Sequence, residues 1–310
     1  MAAFTEIDDA GSFYNAVLHT GNGSELVVSG VGFSPDLTWI KNRTNTDYHV
    51  LTDTVRGATK YLSSNATTAE TTNAEGLKSW QSDGYTLGTQ NQVNENTANF
   101  VGWNWKAGTT TGIDTTGSTI TPSGYSFNQT AGFSVVAYTG NGVAGALIPH
   151  GLGVVPQYFS IHRLDDTSAW DVFHHKMHAT DPAEYYFDWT SANDPNVNAS
   201  RFNDTPPTAV NFCVGDSGYV NANTGTYICY SWAPKQGYSK FGAYYGNGNT
   251  DGVFIYTGFK VAYLVVKKQS GTGQNWFMFD DKRDTYNVNT NSLYIDETGA
   301  ESSATRNDFL

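Results

Sequence analysis

Cysteine is nearly absent: Cys213 and Cys229 are the only two among 310 residues. That excludes a disulfide-built scaffold, which needs paired cysteines at high density. Charge is also sparse, at 15% of the chain, and it leans acidic, with 29 acidic against 17 basic residues and a formal net charge of −12. Such a surface repels phosphate backbones and anionic lipid, so nucleic acid is excluded as a direct partner. No apolar run approaches the ~18 residues that a membrane-spanning helix needs, so membrane insertion is not expected. Long Ala/Leu/Glu/Lys stretches are missing, which argues against a helical bundle. The opening Met1-Ala2-Ala3-Phe4-Thr5-Glu6 lacks the basic start and apolar stretch of a secretion signal. Synthesis in a cytoplasm, without export by the usual route, is therefore expected.

What is present points to strands. Aromatic residues reach 14% and glycines number 32, amid abundant Thr, Val and Asn. Aromatic and β-branched residues suit pleated, buried surfaces, and Gly and Asn punctuate turns. Disordered chains are poor in aromatics, so disorder is excluded.

The chain repeats itself. Thr20-Gly21-Asn22-Gly23 returns 119 positions later as Thr139-Gly140-Asn141-Gly142, and again as Tyr245-Gly246-Asn247-Gly248. Gly88, Val93, Asn94, Asn96, Thr97 and Trp105 recur 127 positions on as Gly215, Val220, Asn221, Asn223, Thr224 and Trp232. A period near one hundred residues is too long for a solenoid unit and long enough for a small domain. In each copy the Gly-Asn-Gly sequence reads as a tight hairpin turn.

The short element Tyr48-His49-Val50-Leu51 lies beside Trp170-Asp171-Val172-Phe173 and Trp276-Phe277-Met278-Phe279, and Tyr61-Leu62 beside Tyr185-Tyr186-Phe187 and Leu293-Tyr294-Ile295. The expected organisation is an all-β chain of tandem antiparallel β-sandwiches of jelly-roll or concanavalin-like type. An N-terminal arm covers 1–11, an anchoring arm or, as the default, a frayed end; copy one covers 12–106, a Gly/Thr-rich linker 107–131, copy two 132–235 and copy three 236–310. Copy three stops before any equivalent of the closing strands that end in Trp105 and Trp232. Either the natural chain continues, which is preferred because an open sandwich exposes strand edges, or a neighbouring subunit supplies them. Cys213 and Cys229 flank the closing loop of copy two and could face each other across two strands. A disulfide there is geometrically possible, while cytoplasmic synthesis favours free thiols.

Several blocks carry a resemblance. Phe33-Ser34-Pro35-Asp36-Leu37-Thr38-Trp39-Ile40-Lys41, Ser82-Asp83-Gly84-Tyr85-Thr86-Leu87-Gly88, the Val93-Asn94 loop and Trp103-Asn104-Trp105 resemble a repeated domain of structural proteins from tailed, often marine, bacteriophages. Copy two resembles it through Tyr138 to Gly142, His150-Gly151-Leu152-Gly153 and Pro156. The resemblance implies a concanavalin- or SPRY-like sandwich and a non-enzymatic role on capsid or tail, as decoration or adhesion module. Its partners would be other virion proteins and host-surface glycan, with homo-oligomers, trimers in particular, by analogy. The expected location is the virion.

Chemistry is thinly signalled. His174 and His178 share a strand face or an i,i+4 helix face and are the metal-like pair, but no Glu follows His174 as a zinc protease requires. A solvated loop or inter-subunit contact is the plainer reading, and no cofactor is expected. Glu6-Ile7-Asp8 begins a glycosidase-like carboxylate strand, but Ala10 and Gly11 stand where the second Glu is needed. No Gly-x-Ser-x-Gly elbow occurs. Trp39, Trp103, Trp105, Trp170, Trp189, Trp232 and Trp276 could stack on sugars, though their strand positions suit a core. Trp80 and Trp189, without counterparts in other copies, are the candidate glycan-stacking residues. A receptor- or glycan-binding fibre protein and a polysaccharide-degrading enzyme are the competing functional readings.

Overall fold

The computed structural model describes residues 5–271, 273–285 and 287–309. The chain is all-β with several antiparallel sheets, and the α-helices among the described residues are four residues long. In the first repeat, Tyr14–Thr20, Asn99–Trp105, Leu37–Asn42 and Val50–Asp53 form one sheet in that spatial order. Leu26–Ser29, Gly84–Leu87 and Leu77–Gln81 form a second sheet that covers it. Between the two lies a core of Val17, Val28, Ile40, Leu77, Tyr85, Leu87 and Phe100.

The other face of the four-stranded sheet is buried too. Trp39, Trp103 and Trp105 point away from the covering sheet into a larger core shared with the second and third repeats. Alternate residues therefore serve two different cores, and Leu37–Asn42 is buried at every position. Strands enclosed on both faces lose the usual inside–outside alternation.

The second repeat has a seven-stranded sheet and a two-stranded layer, Ala146–Pro149 with Asn211–Val214. The segment 107–131, expected as a linker, is folded in. Gly124–Asn128 pairs with Phe133–Thr139 as an edge strand, and Ser126 Oγ donates to Asp36 Oδ1 at 2.9 Å. The described part of the N-terminal arm is docked rather than frayed, because Glu6 N–H donates to Gln236 O at 3.0 Å. Residues 1–4 of that arm lie outside the described residues.

Among the described residues, the third repeat has one four-stranded sheet, in the order Tyr263–Val266, Phe277–Asp280, Asn289–Tyr294 and Ser302–Asn307.

Pairing register ties the repeats together. Leu37 pairs with Asp53, Tyr158 with His174 and Tyr263 with Asp280. Leu51 bridges Leu62, Val172 pairs with Phe187 and Met278 with Leu293. One repeat alignment is thereby corrected: His49, and not Tyr48, matches Trp170 and Trp276. A one-residue slip moves a side chain to the opposite face, and only His49 points into the shared core.

The Gly-Asn-Gly motif is also corrected. Its flanking strands enter different sheets, Tyr14–Thr20 in one and Leu26–Ser29 in the other, so it is an arch between layers and not a hairpin. Asn94 fastens that arch. Its Oδ1 accepts from Asn22 N at 2.9 Å, and its Nδ2 donates to Gly88 O at 2.7 Å. Asn221 does the same with Asn141 N at 2.9 Å and Gly215 O at 2.8 Å. A Cβ on Gly21 would lie 2.1 Å from Glu95 O, and on Gly140 2.3 Å from Ala222 O, which excludes any other residue at either site. The two repeated motifs are thus halves of one contact.

Cys213 and Cys229 are free and buried. They sit in different sheets of the second repeat, Cys213 opposite Leu147 and Cys229 opposite Val136 and Ile161, so they do not face each other across a hairpin.

Candidate functional site

A set of polar side chains from the three repeats meets where one unit joins the next, and these joints follow a cyclic rule. Trp170 Nε1 of the second unit donates to Ser63 O of the first at 2.9 Å. Trp276 Nε1 of the third unit donates to Asp188 O of the second at 3.1 Å. His49 Nε2 of the first unit lies 2.9 Å from Tyr294 O of the third. The three donors are matched by pairing register, as are the three acceptors, so the bonds run from second to first, third to second and first to third. His49 must be the Nε2–H tautomer, because its Nδ1 accepts from Trp39 Nε1 at 2.8 Å and an indole nitrogen can only donate.

A second cycle runs beside the first. Lys41 Nζ donates to Thr298 O at 3.0 Å, His162 Nε2 donates to Thr68 O at 3.2 Å, and Lys267 Nζ donates to Ala192 O at 2.6 Å. These too are register-matched positions, four residues beyond Leu37, Tyr158 and Tyr263. Burial lowers the Lys41 pKa to about 8 and the His162 pKa to about 3. Both rest against main-chain carbonyls rather than carboxylates.

Ion pairs clasp two of the joints. Arg56 pairs with Asp53 and Glu70 in the first unit, and Tyr230 Oη of the second donates to Asp53 Oδ2 at 2.8 Å. Arg283 pairs with Asp280 and Glu301 in the third unit, and Trp103 Nε1 of the first donates to Asp280 Oδ2 at 2.9 Å. The Asp-x-x-Arg spacing at 53–56 and 280–283 was the available sequence signal, and the sequence reading above missed it. In the second unit those two positions are His174 and Met177. Its buried ion pair is instead Asp171 with Arg201 at 3.1 Å, where Arg201 also lies 3.8 Å from the Tyr219 ring centroid. Burial, against the pull of Arg201 and with a push from Asp188, raises the Asp171 pKa to about 7.

A cleft of about 400 Å³ opens at the first joint, lined by Arg56, Lys60, Glu70, Leu164, Asp165 and Tyr227 among others. Lys60 and Arg56 lie 3.1 and 3.5 Å from Glu70, so these charges largely answer one another.

The candidate residues named from sequence fall elsewhere. Trp189 is 1% exposed, packed between Trp39 and Trp170 with ring centroids 5.2 and 4.8 Å away. Its Nε1 donates to Tyr158 Oη at 2.7 Å, so it is a core residue with no ring face for a sugar. Trp80 is half-buried in the covering sheet of the first unit, against the smaller core. His174 and His178 are not drawn together by a common ligand: their Nδ1 atoms accept from Lys176 N at 3.0 Å and Asp181 N at 3.1 Å. Among the described residues, no group of three or more His, Cys, Asp or Glu could hold a metal ion. None of the four residues touches the cleft.

No curated protein and no solved structure matches this chain. One family does match, over residues 9–310, and its description is a domain of unknown function, DUF7483. With nearly its whole length matched, the chain belongs to the DUF7483 family.

Proposed function

We propose that this chain is a non-enzymatic structural protein of a tailed-bacteriophage particle, exposed on capsid or tail, where its tandem β-sandwich units decorate the surface or adhere. The observation that carries the reading is the cyclic set of joints. Register-matched polar side chains of all three repeats are given over to holding the units together. Buried hydrogen bonds between units, made in a low-dielectric interior, rigidify a scaffold. The carboxylates of Asp53 and Asp280, buried and paired with arginines, serve cohesion in the same way. The resemblance of the Phe33–Lys41 and Trp103–Trp105 blocks to phage structural domains supplies the setting. Three units in cyclic order within one chain provide what a trimer of single units would otherwise supply.

Mass spectrometry of purified particles tests this reading: the chain is expected among virion proteins, and its absence there would end it. Glycan recognition is the second reading, favoured by Trp80, which is half-buried on the covering sheet. Binding of the whole chain to a glycan array, lost in Trp80→Ala, would support it over simple decoration.

A further inference from the structure

The joint between the third and first units holds one carboxylate between two arginines. Glu301 N–H donates to Arg43 O at 2.9 Å. The Arg43 guanidinium then folds back onto the Glu301 carboxylate as a fork, with Nη2 donating to Oε2 at 2.7 Å and Nε to Oε1 at 3.2 Å. Arg283 Nη1 donates to the same Oε1 at 3.1 Å from within the third unit.

The joint between the first and second units repeats that main-chain frame with a different side chain in it. Glu70 N–H donates to Leu164 O at 2.9 Å, as Glu301 does to Arg43 O. Leu164 N–H donates to Thr226 O at 2.7 Å, as Arg43 N–H does to Asn99 O at 2.8 Å. Leu164 therefore stands at the Arg43 position, two residues beyond the matched pair His162 and Lys41. Arg56 faces Glu70 as Arg283 faces Glu301, but Arg56 Nη1 and Glu70 Oε2 are 3.5 Å apart. Both atoms are buried and neither has a hydrogen-bond partner among the described residues. The cleft of about 400 Å³ is lined by Glu70, Arg56 and Leu164, the counterparts of Glu301, Arg283 and Arg43. Lys60 Nζ lies 3.1 Å from Glu70 Oε1, yet its side chain is 45% exposed. A point charge answers the charge of Glu70 without matching the fork geometry of a carboxylate. Asp165, paired with Arg163, adds a second carboxylate to the lining, at the position of Thr44. At the remaining joint both arginine positions are uncharged: they are Met177 and Gln269, and Gln269 Nε2 donates to Met177 O.

We infer that the cleft at the first joint is a binding site for a guanidinium group carried by another molecule. The group sits on Glu70 in the pose that Arg43 adopts on Glu301, with its aliphatic stem along Leu164, and Lys60 turns out into water. A cleft of this size holds an arginine-like side chain. The net charge of −12 draws a cationic ligand toward the chain.

Titration of the full chain with N-acetylarginine amide, followed by amide NMR shifts, tests this. Saturable one-to-one binding is expected, with shifts centred on Arg56, Lys60, Glu70 and Leu164. N-acetyllysine amide, a point charge, and N-acetylcitrulline amide, a neutral isostere, should each bind at least about tenfold more weakly. Leu164→Arg supplies the group within the chain and should raise the melting temperature and abolish binding. Arg43→Leu should open a second site on Glu301 and raise the stoichiometry to two. The peptide Ala-Ala-Arg-Ala-Ala separates the two sources of the group. Tighter binding than the blocked amino acid points to an arginine of a partner protein, and equal binding to a small guanidinium compound; either result sustains the site. Absence of saturable shifts at these four residues, equal affinity for the lysine or citrulline analogue, or undiminished binding by a folded Leu164→Arg chain would overturn the inference.

Discussion

Trp103 Nε1 donates to Asp280 Oδ2 at 2.9 Å, joining residues 177 positions apart in the chain. Asp280 also holds the fully buried Arg283, so one carboxylate serves both a joint and an ion pair. Asp280→Asn leaves that guanidinium with Glu301 as its one carboxylate partner among the described residues and is expected to destabilise the chain by about 3 kcal/mol in urea unfolding. Glu25→Gln, which breaks the exposed pair with Lys78, should leave the urea midpoint almost unmoved. Equal effects would refute a structural role for the clasp.

The arch contacts predict a second ranking. Asn94→Ala and Asn221→Ala each strand a part-buried backbone amide and a buried carbonyl, at a cost of about 2 kcal/mol apiece. The third-repeat counterpart of Asn22, Asn247, lies in an exposed segment and bonds only locally, to Asp251 O at 2.9 Å and Asn249 N at 3.1 Å among the described contacts. Asn247→Ala should be nearly silent in thermal melts.

Two buried groups give pH dependences of opposite sign. The His162 pKa falls from 6.5 to about 3, through burial above all. Its contribution is present in full above pH 6.5 and is lost as pH falls toward 3, because the unfolded chain takes up the proton first. The Asp171 pKa rises from 3.8 to about 7. Its contribution is present in full below pH 3.8 and is lost as pH rises toward 7. His162→Gln should therefore flatten the acid side of a stability–pH profile, and Asp171→Asn should remove a decline between pH 4 and 7. Parallel profiles for wild type and both variants would contradict the assignment.

Cys213 and Cys229 should stay silent to a thiol reagent in the native chain and both react after unfolding. They are buried in separate sheets, and burial pushes the Cys229 thiol up to about 12, which suppresses the reactive thiolate. A mass lower by two hydrogens before reduction would show a disulfide instead.

The β character, the three-fold repetition and the matched blocks around Trp105 and Trp232 were legible in the residues, because strand composition and turn chemistry are local. The Asn94–Gly21 and Asn221–Gly140 contacts were half legible: both motifs were visible as repeats, yet nothing local says that one fastens the other. Trp189 was singled out as a glycan-stacking candidate because it has no sequence counterpart, and the structure buries it. Its environment comes from Trp39 of another unit, and a missing repeat partner carries no information about burial.

By itself, then, the sequence determined which stretches extend, where they turn and how often the pattern recurs, since backbone propensity and side-chain size act within a few residues. Only the tertiary structure decided that strands on either side of Gly-Asn-Gly enter different layers, and that His49, Trp170 and Trp276 close a cycle. The physical reason is that the inner strands are buried on both faces. Their sequence then shows no alternation to reveal which core each side chain joins, and the choice falls to contacts between residues a hundred or more positions apart.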